Sequence, residues 1–225
     1  MDSGQQDVAR VALTAAGGFG FVLAGGNAIS AHGIGNRPSE DIDLFTNRTD
    51  PEKFDDAVRA VVAALEAERW SIETVASAVC FAQIVVARGG ESVAVDLGVD
   101  YRTRPPATMS IGPVLALDDA AANKLATLYS RGYPRDYMDV DSLLTSGAFT
   151  LNQLLELGDS IEVNPLDRRM LAARFTGAAN IPDREFERYG MSADAATALR
   201  KRFAKRASLV IAPQDRSDPR PTTAE

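Results

Sequence analysis

An α+β fold is expected of this 225-residue chain. Its first half alternates short apolar runs with one long amphipathic stretch, β-type signals vanish from Leu117 onward, and the remainder carries helical periodicity. A mixed β-sheet flanked by helices is therefore expected over residues 1–112, and a helical region over 113–211. The polar, proline-rich tail 212–225 reads as disordered.

Residues 6–16 read as a short helix stopped by Gly17-Gly18, and 19–24 as a buried strand. Gly25-Gly26 then turns the chain into a helix-compatible run over 27–31, so backbone N–H groups at a helix start can face an anion. A second strand carries the sequence DIDLF. Asp50-Pro51 opens a helix to about residue 69, in which Phe54, Val58, Val61, Val62 and Leu65 recur at helical intervals. Residues 71–77, 79–87 and 92–99 read as strands, with Gly89-Gly90 turning between the last two. Asp118-Asp119 is expected to cap a helix to about residue 130, and Gly132-Tyr133-Pro134 breaks it before a second helix over 134–145. Further helices are expected at 151–159, 166–174 and 192–208, with looser structure around 177–183.

A net charge of −7 argues against a protein that coats nucleic acid non-specifically. A local basic patch is present where Arg200, Lys201, Arg202, Lys205 and Arg206 share one segment, and it reads either as an RNA-binding face or as a solvated helix end. Cys80 is the single cysteine, which excludes an intrachain disulfide and a cysteine zinc cluster. Within its apolar run it reads as a buried small hydrophobe. No segment is apolar enough to span a bilayer and residues 1–10 lack a signal pattern, so a cytoplasmic protein without membrane contact is the default.

The chemistry concentrates between Phe21 and Phe45, FVLAGGNAISAHGIGNRPSEDIDLF. Side chains alternate along a strand, so Asp41 and Asp43 share one face. Two carboxylates within 4 Å repel by about 4 kcal/mol at an effective dielectric near 20, which a divalent cation would relieve. Mg²⁺, which takes oxygen ligands and substrate phosphates, is the natural candidate; an exposed edge strand is the alternative. Asp96 interrupts the apolar run VAVDL and is preferred over Asp100 as a third acid. Lys124 and Arg131 lie two helical turns apart and can reach one polyanion, while Asp136 and Asp139 share a face of the following helix. With Arg135, these groups equally form an ion-pair network between helices. His32 is either structural or catalytic, Arg37 is assigned to phosphate over pairing with Glu40, and Trp70 reads as core.

The stretch GGNAISAHGIGNRPSEDIDLF, the strand bearing Asp96 and the pattern Lys124-x6-Arg131-x3-Arg135-Asp136-x2-Asp139 together resemble the AbiEii/AbiGii (MenT-like) nucleotidyltransferase toxin family of the DNA polymerase β-like superfamily. The resemblance spans residues 20–145. It implies that Gly25, Gly26 and Asn27 cradle a nucleoside triphosphate. Asp41 and Asp43 would bind Mg²⁺, Asp96 would be the third acid, and two ions are implied. Lys124 would hold the triphosphate and Asp136 would orient the nucleotide or the lysine. The implied reaction transfers a nucleoside monophosphate to RNA, a tRNA 3′ end in particular, blocking translation, with an antitoxin as partner. Many superfamily members carry serine after the first motif glycine, whereas this chain has Gly26 and Asn27. Keeping the chemistry and changing the acceptor gives the alternative, nucleotidylation of an aminoglycoside-like small molecule.

Overall fold

The computed structural model describes residues 1–35 and 37–211; the tail expected to be disordered lies outside them. The fold is α+β. Seven strands form one mixed sheet: β1 (Val22–Leu23), β2 (Asp41–Thr46), β3 (Ser71–Ala78), β4 (Phe81–Arg88), β5 (Glu91–Val99), β6 (Ala107–Met109) and β7 (Gly112–Val114). Their order is β3-β4-β5-β2-β1-β7-β6. Pairing is parallel for β2 with β5 and for β1 with β7, and antiparallel elsewhere.

Before the last two strands come α1 (Ser3–Ala16), α2 (Gly25–Ala31) and α3 (Pro51–Ala67). Asp50 starts α3 as its sequence suggests, accepting from the N–H groups of Glu52 and Lys53 ahead of Pro51. One sheet face carries Ile42, Leu44, Val95 and Leu97, none with exposed surface, and this alternation sends Asp41, Asp43 and Asp96 to the other face.

The second half is helical: α4 (Leu117–Ser130), α5 (Pro134–Thr145), α6 (Leu151–Ile161), α7 (Arg168–Gly177), α8 (Asp183–Glu187) and α9 (Ala193–Ile211). Tyr137, Phe203 and Phe175 stack edge to face with 5.0 Å between successive ring centres, locking α5, α9 and α7 together. Arg202 and Arg206 both close on Asp141, adding an ionic bolt between α5 and α9.

Several local expectations change. The strand expected over 19–24 shrinks to Val22–Leu23 because Gly17–Phe19 forms a 3₁₀ turn and Gly20 takes φ +79°. The β6–β7 hairpin escaped the pattern reading, since three-residue strands are too short to show period two and Pro113 argues against one. β7 also crosses the division expected at residue 112. Cys80 sits half-buried in the β3–β4 turn at φ +56° instead of inside a strand. Asp118 and Asp119 follow the first residue of α4 instead of capping it. Asp119 reaches back to accept from the Thr103 and Arg104 N–H groups and the Thr103 hydroxyl. A short helix, α8, occupies part of the looser region.

Candidate active site

Parallel pairing of β2 with β5 sets Asp43 directly beside Asp96. Oxygens of Asp41, Asp43 and Asp96 all lie within 4.8 Å of one another. Asp100, the less favoured candidate, stands outside this cluster. Asp96 accepts from the Gln83 amide at 2.8 Å, and among the described residues Asp41 has the Ser39 hydroxyl at 3.4 Å and Arg135 at 3.5 Å as its polar partners. Burial pushes the Asp43 carboxyl up to about 6, Asp41 and Asp96 adding to the rise while Lys124 and Arg135 oppose it. Three converging oxygen donors with too little positive charge to balance them suit a hard divalent ion such as Mg²⁺.

The glycine turn meets this cluster at very short range. The Ala24 N–H donates to the Asp43 carbonyl at 2.8 Å, docking the start of α2 on β2. Gly25 has φ +58°, and a Cβ there would sit 1.8 Å from Asp43 Oδ2. A Cβ on Gly26 would sit 2.4 Å from Arg37 Nη2. Both glycines are thus dictated by close approach. Asn27 is fully buried and its side-chain amide donates to the Asp41 carbonyl at 2.8 Å. Its amide therefore fixes the acid strand and is not turned out toward a phosphate.

Opposite the acids, α4 and α5 carry a charged web. Lys124 Nζ lies 3.0 Å from Asp139 and 3.6 Å from Asp136. Arg131 grips Asp136 with two nitrogens at 3.0 and 3.2 Å, and the Tyr133 N–H donates to the same carboxylate. Asp136 is wholly buried. Arg37, assigned to phosphate on sequence, makes a two-pronged pair with Asp139 at 2.6 Å per bond. Burial works against ionisation of Asp139, yet Lys124 and Arg37 outweigh it and hold the carboxyl below its ordinary range. Lys124, Arg131 and Arg37 thus face two carboxylates, leaving surplus positive charge beside the acid cluster.

Between the sheet and α4 lies an open cleft of about 160 Å³ that widens into solvent, with Gly25, Asp43, Lys124 and Arg131 toward one end and Phe45, Asp100 and Asn123 toward the other. The His32 Nε2 sits 2.9 Å from the Leu115 carbonyl, a structural hydrogen bond that places the proton on that nitrogen. The basic segment of α9 is largely spoken for. Arg200 binds Asp183 and the Ile181 carbonyl, Arg202 and Arg206 bind Asp141, and only Lys201 and Lys205 of the five are exposed.

Sequence reasoning missed Arg135 as a neighbour of Asp41, Gln83 as the partner of Asp96, and Asp139 as the anchor of both Arg37 and Lys124. The charge pattern on α5 signalled Asp139, but nothing local pointed to an arginine 102 residues earlier.

Two acids on one strand, a third beside them and a glycine turn against them make a site suited to a divalent ion and a phosphate, and solved structures share the fold. MenT4, a nucleotidyltransferase toxin from Mycobacterium tuberculosis H37Rv, superposes with a TM-score of 0.60 at 17% identity, covering 93% of this chain and 83% of that one. A Helicobacter pylori protein assigned as a nucleotidyltransferase gives 0.59 at 15% identity, covering 92% and 93%. No curated protein matches the sequence. The family model described as nucleotidyl transferase AbiEii toxin, type IV toxin–antitoxin system, matches residues 9–215. The chain belongs to this AbiEii nucleotidyltransferase toxin family.

Proposed function

We propose that this toxin-family nucleotidyltransferase moves a nucleoside monophosphate from a nucleoside triphosphate to RNA, a tRNA 3′ end, and so blocks translation until an antitoxin counters it. The observation that carries the reading is the three-acid cluster facing Lys124 across an open cleft. Asp41, Asp43 and Asp96 would hold Mg²⁺, in two ions, which would supply charge neutralisation at the reacting phosphate. Asp96, held by Gln83, takes the proton of the acceptor hydroxyl. That oxygen bonds to the α-phosphorus, the α–β anhydride breaks, and pyrophosphate leaves. The backbone at Gly25, Gly26 and Asn27 lies against the triphosphate, while Lys124 and Arg131 meet its charge. Asp136 orients both cations, and Arg37 acts through Asp139 by fixing Lys124.

Purified protein given labelled nucleoside triphosphates, total tRNA and Mg²⁺ should label RNA, and Asp43→Ala should not. Labelling of a cationic small molecule while tRNA stays unlabelled would sink the RNA reading. The small-molecule alternative draws support from one observation, the engagement of Arg200, Arg202 and Arg206 by intrachain acceptors. If it holds, replacing Lys201 and Lys205 by alanine leaves transfer unchanged, whereas an RNA enzyme loses affinity.

A further inference from the structure

The cleft has two chemically different ends. Toward Arg131 it is cationic. Two residues along β2 from Asp43, roughly 7 Å at strand rise, it is walled by Phe45 and Leu115 and closed by Asp100 and Asn123. On α4, Asn123 and Arg131 are eight residues apart, about 12 Å at helical rise, so the two ends are separated on both walls.

Asp100 and Asn123 form a defined pair. Asn123 Nδ2 donates to Asp100 Oδ2 at 2.6 Å, and the Tyr101 N–H donates to Asp100 Oδ1 at 2.8 Å. The Asp100 N–H in turn donates to the Thr46 carbonyl at 2.9 Å, holding the residue against the end of β2. A carboxylate only accepts, so this bond fixes which way the Asn123 amide points. Among the described residues Asn123 Oδ1 is left as an acceptor without a donor, beside the remaining lone pairs of Asp100 and against a single remaining amide N–H. That end of the cleft is rich in acceptors and carries negative charge.

We propose that Asp100 and Asn123 select the nucleobase, favouring the amino-bearing bases cytosine, adenine and guanine over uracil; this rests on the reading that the triphosphate occupies the cleft with its phosphates toward Lys124 and Arg131. The exocyclic amino group of cytosine or adenine offers two N–H donors to the two acceptors, and Phe45 offers its ring as a flat wall. Guanine offers its ring N–H and amino N–H side by side to the carboxylate, whereas uracil has a single ring N–H flanked by two carbonyls, whose lone pairs meet those of the carboxylate. A base edge that leaves such groups mismatched loses on the order of tenfold or more.

Equilibrium dialysis of ATP, CTP, GTP and UTP with Mg²⁺ against wild type, Asp100→Asn and Asn123→Ala tests this, followed by transfer assays on total tRNA with the same set. Wild type should bind at least one of CTP, ATP and GTP tenfold or more tightly than UTP. In both variants that ratio should fall below threefold, while inorganic pyrophosphate binds within twofold of wild type. Equal binding of all four nucleotides, a preference for UTP, no nucleotide binding at all, or variants that keep the wild-type ratio would each overturn the proposal. Selective binding without transfer would sink the transferase reading and leave this one standing. Melting curves accompany each variant, and if Asp100→Asn does not fold, Asn123→Ala carries the comparison alone.

Discussion

Neutralising one acid should stabilise the metal-free protein. Asp43 titrates at about 6 in the fold against an ordinary 3.8, because burial and the charges of Asp41 and Asp96 outweigh Lys124 and Arg135. Between those two values the folded protein keeps a proton that the unfolded chain has released, so stability falls as pH rises through that window and the full cost is present above about 6. At about 1.4 kcal/mol for each pH unit, the gap amounts to roughly 3 kcal/mol. Asp43→Asn removes the charge and keeps the shape. Its advantage over wild type should be close to nil near pH 4 and reach about 3 kcal/mol by pH 7, which for a chain of this size is a rise in Tm of about 6–12 °C. Thermal melts of both proteins in EDTA from pH 4.5 to 8 measure the difference and cancel the other titrating groups. Mg²⁺ should then raise the Tm of wild type and leave the variant almost unmoved. Parallel pH curves, or a variant less stable than wild type at pH 7 in EDTA, would refute the electrostatic account of the cluster.

Gly25→Ala forces a Cβ to 1.8 Å from Asp43 Oδ2 at φ +58°; transfer activity should drop at least a hundredfold and stability by about 1 kcal/mol or more, read by single-turnover labelling and melts. Arg37→Leu leaves the buried Asp139 with Lys124 alone and should cost about 3–5 kcal/mol by urea denaturation. Adding Asp139→Leu should recover part of that loss, and strict additivity of the two would argue against the pair. Arg206→Ala should lower the Tm through Asp141, whereas Lys201→Ala with Lys205→Ala should leave the Tm within 1 °C, about the ±0.5 kcal/mol span of surface substitutions.

Local chemistry made the acid cluster legible. Alternation put Asp41 and Asp43 on one face, and the apolar setting of Asp96 singled it out, so three residues from two strands were found without knowing that β2 and β5 pair in parallel. The start of α3 was equally readable, because Asp50 and Pro51 act within a few residues. Long-range pairing was not. Arg37 with Asp139, and Asp141 with Arg202 and Arg206, join segments whose meeting depends on how helices dock, and a charge offers no local mark of its partner. Asn27 illustrates a different limit: a polar residue in a phosphate-type turn reads as a ligand, and only burial reveals that its amide serves the Asp41 carbonyl.

The crowding at Gly26 ties two distant choices together in evolution. Serine at this position would place a Cβ where Arg37 Nη2 now lies, and that guanidinium cannot swing aside without giving up both bonds to Asp139. Residues 26 and 37 should therefore covary among relatives: lineages with a side chain at the first should lack the arginine–aspartate clasp, and grafting serine alone into this background should be epistatic, harmful until residue 37 changes as well.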